Sequence, residues 1–236
     1  MALKQRLLAI ETSSPRLSLA VGTETGLIKE YQGPLAWRHA ESLFEGMEKL
    51  LKGVGWPVQS LTGVLVSTGP GSFTGIRIGL AAARALGQSL KVPVVGVASL
   101  ETLAAGSLKP GQYVCPLIDA LRGEVFSALY FKDSRGKIRT LWKEGRWALP
   151  DLLRKLAPLA GDPLLFVGDA ADIYKKDLRT VGGTRWSFAS AKDHYPKAGV
   201  LMERGWEKLS RSRAASYQQV LPLYLRSPAA VERRKR

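Results

Sequence analysis

The fold is decided by the stretch Gly63-Val64-Leu65-Val66-Ser67-Thr68-Gly69-Pro70-Gly71-Ser72-Phe73-Thr74-Gly75-Ile76-Arg77. Its first six residues form a short apolar run that predicts a buried strand. A glycine-rich loop follows, and residues 76–90, which are rich in alanine and leucine, predict a helix. Residues 92–97 predict another short strand. The whole is a strand–loop–helix–strand unit, which is typical of α/β sheets.

The glycine-rich loop at residues 69–75 leaves two interpretations open. Glycines allow the backbone to approach a neighbour closely, and the N-terminus of the following helix offers N–H groups to an anion. However, a Walker-type phosphate loop needs Lys and then Ser or Thr after its last glycine, and here Ile76-Arg77 follows. A dinucleotide fingerprint fails as well, because the third glycine comes one residue late. The loop is either a tight turn that lets the helix pack close to the sheet, or a contact for a ligand or partner.

Upstream of this unit, the pattern predicts more sheet and one helix. Residues 5–10 and 16–22 predict two strands joined by a Thr/Ser/Pro turn, and residues 26–33 predict a third. Within residues 39–52, apolar side chains recur with the spacing of an amphipathic helix.

Downstream, the pattern restarts near residue 99. The predicted elements lie at residues 99–105, 114–119, 123–132, 150–156, 164–168 and 198–209. We therefore predict an α/β protein of two lobes, with residues 1–100 carrying two long helices and residues 101–236 ending in a basic tail.

The helix predicted at residues 76–90 is apolar or small on most sides. Arg77, Arg84 and Gln88 form its one polar stripe, so most of its surface must be covered. Gly79, Ala83 and Gly87 form a smooth face that another helix can approach closely. The pattern is compatible either with an internal core helix or with a subunit interface shared with helix 39–52. The candidate interface residues are Leu43, Phe44, Met47, Leu50, Leu51, Ile78, Gly79, Ala82, Ala83, Leu86 and Gly87.

Composition favours a cytoplasmic protein with a polyanionic or acidic partner. The net charge is +15, and from Lys192 to Arg236 there are 11 Lys and Arg against 4 Asp and Glu. This charge favours RNA or an acidic protein, or else it is a solvated surface. No apolar run approaches the about 18 residues of a membrane span. The lone Cys115 fits a reducing compartment and predicts a buried thiol in a strand.

The carboxylates do not form an obvious catalytic pair. Glu11 lies at a strand end, Asp119 and Glu124 flank a turn, and Asp169 and Asp172 read as loop and helix-start residues. The sequence has no His-Glu-x-x-His motif and no cysteine pair, so we predict no catalytic residue, no cofactor and no metal site.

Several motifs occur in the order typical of one protein family. They are Leu8-Ala9-Ile10-Glu11-Thr12-Ser13, His39-Ala40-Glu41-Ser42-Leu43, the stretch 67–77 quoted above, Asp119-Ala120-Leu121-Arg122-Gly123-Glu124-Val125 and Pro222-Leu223-Tyr224-Leu225-Arg226. On these residues the chain resembles the TsaB (YeaZ) family, most densely over residues 7–103. The resemblance implies a two-lobed actin-like (ASKHA, ribonuclease-H-like) fold.

The resemblance also implies a role. The family supports formation of N6-threonylcarbamoyladenosine at position 37 of certain tRNAs, as a non-catalytic partner of the metal-dependent transferase TsaD. The ATPase TsaE joins this pair, and isolated members of the family tend to self-associate. The resemblance places the contact helices at residues 39–52 and 76–90. We expect Ala83→Glu to break these associations and leave the fold intact.

The residues that match the catalytic relative differ at the chemistry-bearing positions. TsaD has two metal-binding histidines spaced i, i+4, and here His39 matches the first position while Leu43 occupies the second, where it cannot bind a metal. Likewise Glu11-Thr12-Ser13-Ser14 replaces the Asp-Gly-Thr phosphate turn of actin-like ATPases, so the backbone cannot approach a phosphate as closely.

Two further hypotheses remain open from the sequence. One is an enzyme, either an ATP-binding protein of the actin-like class or a protease acting on its partner, with Glu11, Thr12, Asp119 and the 69–75 loop as its site. The other is an RNA-binding module that uses the basic C-terminus. The sequence also leaves open whether the isolated chain is a dimer and whether a nucleotide binds at a subunit junction.

Overall fold

A computed structural model describes residues 5–36, 38–107, 109–211 and 216–225. The first half of the chain forms a five-stranded sheet in the order β3-β2-β1-β4-β5. The strands β1, β2 and β3 are antiparallel, and β4 and β5 add in parallel to β1. They are β1 (Leu7–Glu11), β2 (Arg16–Thr23), β3 (Gly26–Leu35), β4 (Gly63–Gly69) and β5 (Val94–Ala98).

The second half repeats this arrangement. Its strands are β6 (Gln112–Asp119), β7 (Glu124–Lys132), β8 (Ile138–Ala148), β9 (Leu164–Val167) and β10 (Trp186–Phe188). Read from β8, the order is β8-β7-β6-β9-β10, with an antiparallel β6-β7-β8 meander followed by two parallel additions. The two sheets therefore share strand order and strand direction, which defines two lobes of the same topology.

The described part of the chain places seven α-helices around these sheets. They are α1 (His39–Lys52), α2 (Phe73–Leu90), α3 (Ser99–Ser107), α4 (Leu149–Leu156), α5 (Asp169–Ile173), α6 (Lys175–Gly182) and α7 (Ala198–Arg211). The helix α2 begins three residues before the predicted start, because the Ser72 side chain caps it by accepting a hydrogen bond from the Gly75 N–H.

Each sheet is covered on both faces. In the first lobe, α1 and α2 bury Leu43, Ile76 and Ala83 on one face. On the opposite face, α7 buries Leu201 and Met202 in one cluster with residues of the sheet. In the second lobe, α3 covers one face and the helices α4 to α6 cover the other.

The packing of α7 corrects the sequence-based division at residue 100. This helix lies in the second half of the chain but packs on the first sheet, where Gly205 allows close approach: a Cβ there would lie 2.9 Å from a Leu65 methyl carbon. The segment 216–225 also returns to the first lobe, since Arg84 donates hydrogen bonds to the Val220 carbonyl. The first lobe thus contains residues from both ends of the chain.

Two smaller expectations concern Cys115 and the membrane. The Cys115 thiol is fully buried in β6, 3.1 Å from the Ser127 hydroxyl, which confirms the predicted buried thiol. Burial raises the pKa of Cys115 to about 12, so it remains an unreactive thiol at neutral pH. Among the residues that the structure describes, no helix is both long and apolar enough to cross a bilayer.

Candidate functional site

A cavity of ≈ 540 Å³ lies in the cleft between the lobes. Four parts of the chain meet there. They are the β1–β2 turn with the β4–α2 loop, the β6–β7 turn, the segment 194–196 and the C-terminal segment around Tyr224. Its polar side chains are Ser13, Ser14, Ser72, Asp119, Asp169, His194, Tyr195 and Tyr224. The rest of the lining is largely apolar.

On the first-lobe side, the glycine-rich loop serves close packing. A Cβ at Gly71 would lie 2.2 Å from the Ser13 carbonyl oxygen, and a Cβ at Gly75 would lie 2.1 Å from that of Thr12. The Ser72 N–H donates to the Ser13 carbonyl at 2.8 Å. Of the two interpretations of this loop, the geometry fits the tight turn: the space left by the glycines is filled by the β1–β2 turn of the same chain.

Beneath this turn lies a buried polar network. Ser13 donates to Glu11 Oε1 from its backbone N–H at 2.7 Å and from its hydroxyl at 2.6 Å. The Ser99 hydroxyl donates to the Ser13 hydroxyl and lies 2.9 Å from that of Ser67. Burial raises the pKa of Glu11 to about 7, although the bonds from Ser13 pull it down. This fully buried carboxyl therefore acts as an internal structural group rather than as a surface ligand.

His39, the residue that matches a metal ligand of TsaD, is also buried in a structural role. Its Nε2 lies 2.8 Å from the Ser14 carbonyl oxygen, which can only accept, so Nε2 carries the proton in this bond. Burial lowers the pKa of His39, which favours the neutral ring. Leu43, one turn further along α1, is fully buried in the core. This helix face is thus directed at the β1–β2 turn and at the core.

On the second-lobe side, two carboxylates and a histidine order the ends of β6 and β9. Asp169 Oδ1 accepts from the Asp119 N–H at 3.0 Å, and burial raises the pKa of Asp169. The Gly168 N–H donates to His194 Nδ1 at 3.2 Å, so Nδ1 is unprotonated and Nε2–H donates to Asp172 at 2.9 Å. Sequence reasoning missed His194, whose surroundings, Lys192-Asp193-His194-Tyr195-Pro196, show no motif.

The C-terminal segment closes one side of the cleft and was not predicted to do so. The Leu223 N–H donates to the Thr68 carbonyl at 2.8 Å, and the Tyr224 ring lies 5.0 Å from that of Phe73 at the start of α2. The predicted polar stripe of α2 explains part of this docking, because Arg84 holds Val220. The basic tail beyond Leu225 lies outside the described residues.

The charged side chains of the described cleft lining are carboxylates. Among the described residues that line it there is no lysine or arginine, while Asp119 and Asp169 add negative charge. The first amide groups of α2 are partly used within the chain, as the Ser72 and Gly75 bonds above illustrate. Within the described ranges, no group of three or more His, Cys, Asp and Glu side chains is arranged to hold a metal ion.

The predicted partner interface is divided between the interior and the surface. Seven of its eleven residues are buried within the first lobe, namely Leu43, Leu50, Leu51, Gly79, Ala82, Ala83 and Gly87. Four reach the surface: Phe44 is 61% exposed, and Met47, Ile78 and Leu86 are part-buried.

The smooth face of α2 therefore packs on the chain's own sheet. A Cβ at Gly79 would lie 2.3 Å from Thr12 Oγ1, and one at Gly87 would lie 2.4 Å from Val94 Cγ2. This packing corrects the expectation that Gly79, Ala83 and Gly87 receive another subunit. It also corrects the expected effect of Ala83→Glu, because a carboxylate at this fully buried position would disrupt the fold itself.

Two sheets of the same strand order, joined at a cleft, define a two-lobed α/β protein of the actin-like class, which confirms the predicted fold. The family model described as "TsaD: tRNA N6-adenosine threonylcarbamoyltransferase" matches residues 33–232. The tRNA threonylcarbamoyladenosine biosynthesis protein TsaB of Bacillus subtilis is 34% identical over 93% of this chain and 93% of its own length. The chain therefore belongs to the TsaB (YeaZ) family.

Other relatives agree with this assignment. TsaB of Escherichia coli is 31% identical over 56% of this chain and 57% of its own length. The structure titled "YeaZ from Pseudomonas aeruginosa" superposes with a TM-score of 0.76 at 23% identity, covering 94% of this chain and 100% of that chain. At this identity the superposition supports the fold.

Proposed function

We propose that this chain acts in tRNA threonylcarbamoyladenosine biosynthesis as a non-catalytic subunit that binds a TsaD-type transferase through the outer surface of α1 and α2. The observation that carries the proposal is Phe44, a large apolar side chain that is 61% exposed in the middle of α1. An aromatic side chain exposed to this degree, with apolar neighbours, is typical of a protein interface.

Other side chains of α1 and α2 that reach the surface support an interface between helices. Met47, Ile78 and Leu86 are part-buried, and Ala81 and Ala85 are exposed on α2. Small side chains at these positions let the helix of a partner approach closely. This outer surface, rather than the buried face with Ala83, is where a TsaD-type subunit would pack.

The cleft supports a non-catalytic role. A transferase or an ATPase of this class needs positive charge or a metal beside its phosphate or carbonyl groups. Here the described lining offers carboxylates, serines, tyrosines and His194, and the position that matches the second metal-binding histidine is the buried Leu43. The proposal therefore assigns the chemistry to the partner, with a TsaE-type ATPase as a third component and a homodimer formed by the isolated chain.

The decisive experiment is co-purification with the TsaD-type subunit from the same organism. Phe44→Glu places a charge in the proposed interface without disturbing the core, so we expect capture of the transferase to fall by about tenfold or more. Ile173→Glu is the matched control, because this side chain is 58% exposed on the second lobe. Equal capture by the wild type and Phe44→Glu, with both variants folded, would refute the proposal.

The same variants test self-association. Sedimentation velocity should show that Phe44→Glu shifts any dimer of the isolated chain to monomer, because the proposed contact surface is shared. Ile173→Glu should sediment like the wild type. A dimer that persists in Phe44→Glu would place self-association elsewhere on the chain.

A further inference from the structure

A basic surface covers the outer edge of the second lobe and is separate from the cleft and from the α1–α2 surface. We call it the β8–α4 surface. Between residues 132 and 156 the chain has eight Lys and Arg against three Asp and Glu. The basic residues are Lys132, Arg135, Lys137, Arg139, Lys143, Arg146, Arg154 and Lys155. Among the described residues, β8 pairs with β7 alone, so its other edge has no strand partner there.

Two tryptophans fix one of these cations in place. Trp142 and Trp147 lie on one face of β8, opposite Leu129 and Val125 of β7. From α4, Lys155 places its ammonium nitrogen 4.4 Å from the centroid of the Trp142 ring and 4.1 Å from that of Trp147. Such cation–π contacts order a side chain that would otherwise move freely in solvent. The position of this positive charge is therefore built into the fold.

Gly145 makes room for this arrangement. A Cβ at Gly145 would lie 2.8 Å from Nε1 of Trp147, so the indole lies directly against the backbone of β8. Because Gly145 lies in the irregular part of the β7–β8 pairing, the strand bends here and brings Trp147 and Trp142 toward the same lysine.

Part of the charge on this surface is not neutralised within the described ranges. Lys143 and Lys155 have no carboxylate within salt-bridge distance there. Arg139 makes a long contact of 3.4 Å with Asp133, which neutralises little at an exposed position, whereas Arg154 is paired with Asp151.

On α7 the cations are paired. Arg204 lies 3.0 Å from Glu101, and Lys208 lies 2.7 Å from the same carboxylate. The cations of α7 are thus neutralised within the chain, unlike Lys143 and Lys155.

We propose that the β8–α4 surface binds the sugar–phosphate backbone of RNA. An edge strand holds its cations along a line, and Arg139 to Trp147 spans about 26 Å, a length that several successive phosphates match. Lysine and arginine side chains are the groups that most often contact phosphate oxygens, and here the two tryptophans position one of them. The inference rests on the proposed function for the identity of the RNA, which is the tRNA whose adenosine the transferase modifies.

The test is a tRNA titration by fluorescence anisotropy at several salt concentrations, with the chain alone and with its complex with the TsaD-type subunit. The variant Lys143→Gln/Arg146→Gln/Lys155→Gln should bind about tenfold more weakly, and the slope of log K against log salt should become shallower by about 2 to 3. The control Lys29→Gln/Lys52→Gln/Lys91→Gln removes the same charge from exposed positions of the first lobe. It should retain most of the affinity and the slope.

A second variant tests whether the fixed position of Lys155 matters in addition to its charge. Trp147→Leu keeps every cation but releases Lys155, so we expect tRNA affinity to fall about threefold while the net charge is unchanged. Circular dichroism and thermal unfolding establish that each variant is folded.

Three outcomes would overturn the inference. They are no tRNA binding by the wild type in either form, an equal loss in the first-lobe control, and a triple variant that loses capture of the transferase while keeping tRNA. If the tRNA titration fails but Phe44→Glu still reduces capture of the transferase, the proposed function is unaffected. If Phe44→Glu does not reduce capture, the proposed function is refuted, but the RNA-binding inference is not.

Discussion

Both lobes have a hairpin turn after their first strand, but one turn is buried and the other is exposed. Between β1 and β2, residues Thr12, Ser13 and Ser14 are buried under the start of α2. Between β6 and β7, residues Leu121, Arg122 and Gly123 are exposed, and all three have positive φ values, of 61°, 58° and 74°. Both turns border the cleft, but the first is buried in the core and the second is exposed.

The difference comes from the helices that follow β4 and β9, the strands that pair in parallel with β1 and β6. In the first lobe, α2 has 18 residues, and its glycines at the loop and first turns allow contact with the β1–β2 turn. In the second lobe, α5 has five residues, and the close approach at Gly168 is to Leu117, within β6, rather than to the turn. The glycines at the start of α2 thus let this helix cover the first turn, whereas the second turn stays exposed.

The largest expected effect comes from filling the closest contact between α2 and the first turn. In Gly75→Ala, the new methyl group would lie 2.1 Å from the Thr12 carbonyl oxygen, and the helix must move away from the sheet. We expect a loss of about 3 kcal/mol in the free energy of unfolding, at the upper end of overpacking effects. Urea denaturation measures this loss directly.

Gly123→Ala is the matching change in the second turn. Nothing lies within 4 Å of its new methyl group, so only the positive φ opposes it, at a cost of about 1 kcal/mol. Equal costs for Gly75→Ala and Gly123→Ala would contradict the contrast between the two turns.

The next effect depends on pH and on the buried Glu11. Because burial raises the pKa of Glu11 to about 7 from its ordinary 4.5, the folded chain keeps this proton at a pH where the unfolded chain has lost it. Stability from this group is therefore complete below about pH 4.5 and falls as the pH rises through about 7. In Glu11→Gln the wild-type decline, about 2 kcal/mol between pH 5 and pH 8, should disappear.

Thermal unfolding across this pH range provides the measurement. Glu48→Gln, which changes an exposed carboxylate of α1, serves as the control and should keep the wild-type pH profile. If Glu11→Gln also keeps that profile, the buried carboxyl does not titrate in this range and the network beneath the first turn is held together differently.

Much of the first lobe was predictable from its sequence because its signals are local. The run 63–68, the apolar spacing of α1 and the alanine-rich α2 each predict their element without reference to the rest of the chain. The second lobe was predicted less completely. The strand β8, Ile138–Ala148, mixes tryptophans with cations and contains a bulge, so it lacks the alternation that identifies a strand.

The candidate sites were harder to predict, for two physical reasons. Leucine, alanine and glycine at helical spacing describe a buried face and an interface equally well, and only the position of the sheet shows that Ala83 faces inward. The Lys155 contact joins residues 8 and 13 positions apart, Trp147 and Trp142, through a strand-to-helix turn. A repeating pattern in the sequence cannot predict such a contact.

The smallest effect sharpens the comparison at the second turn. Leu121 is 65% exposed, so its side chain gains little from burial. Its positive φ of 61° is unfavourable for leucine and is tolerated better by asparagine. We expect Leu121→Asn to stabilise the chain by about 0.5 kcal/mol, as measured by urea denaturation. Ser13→Asn in the buried turn, where no such space exists, should destabilise it instead. If Leu121→Asn destabilises the chain, the leucine packs into the cleft more firmly than its exposure indicates, and the second turn would then resemble the first.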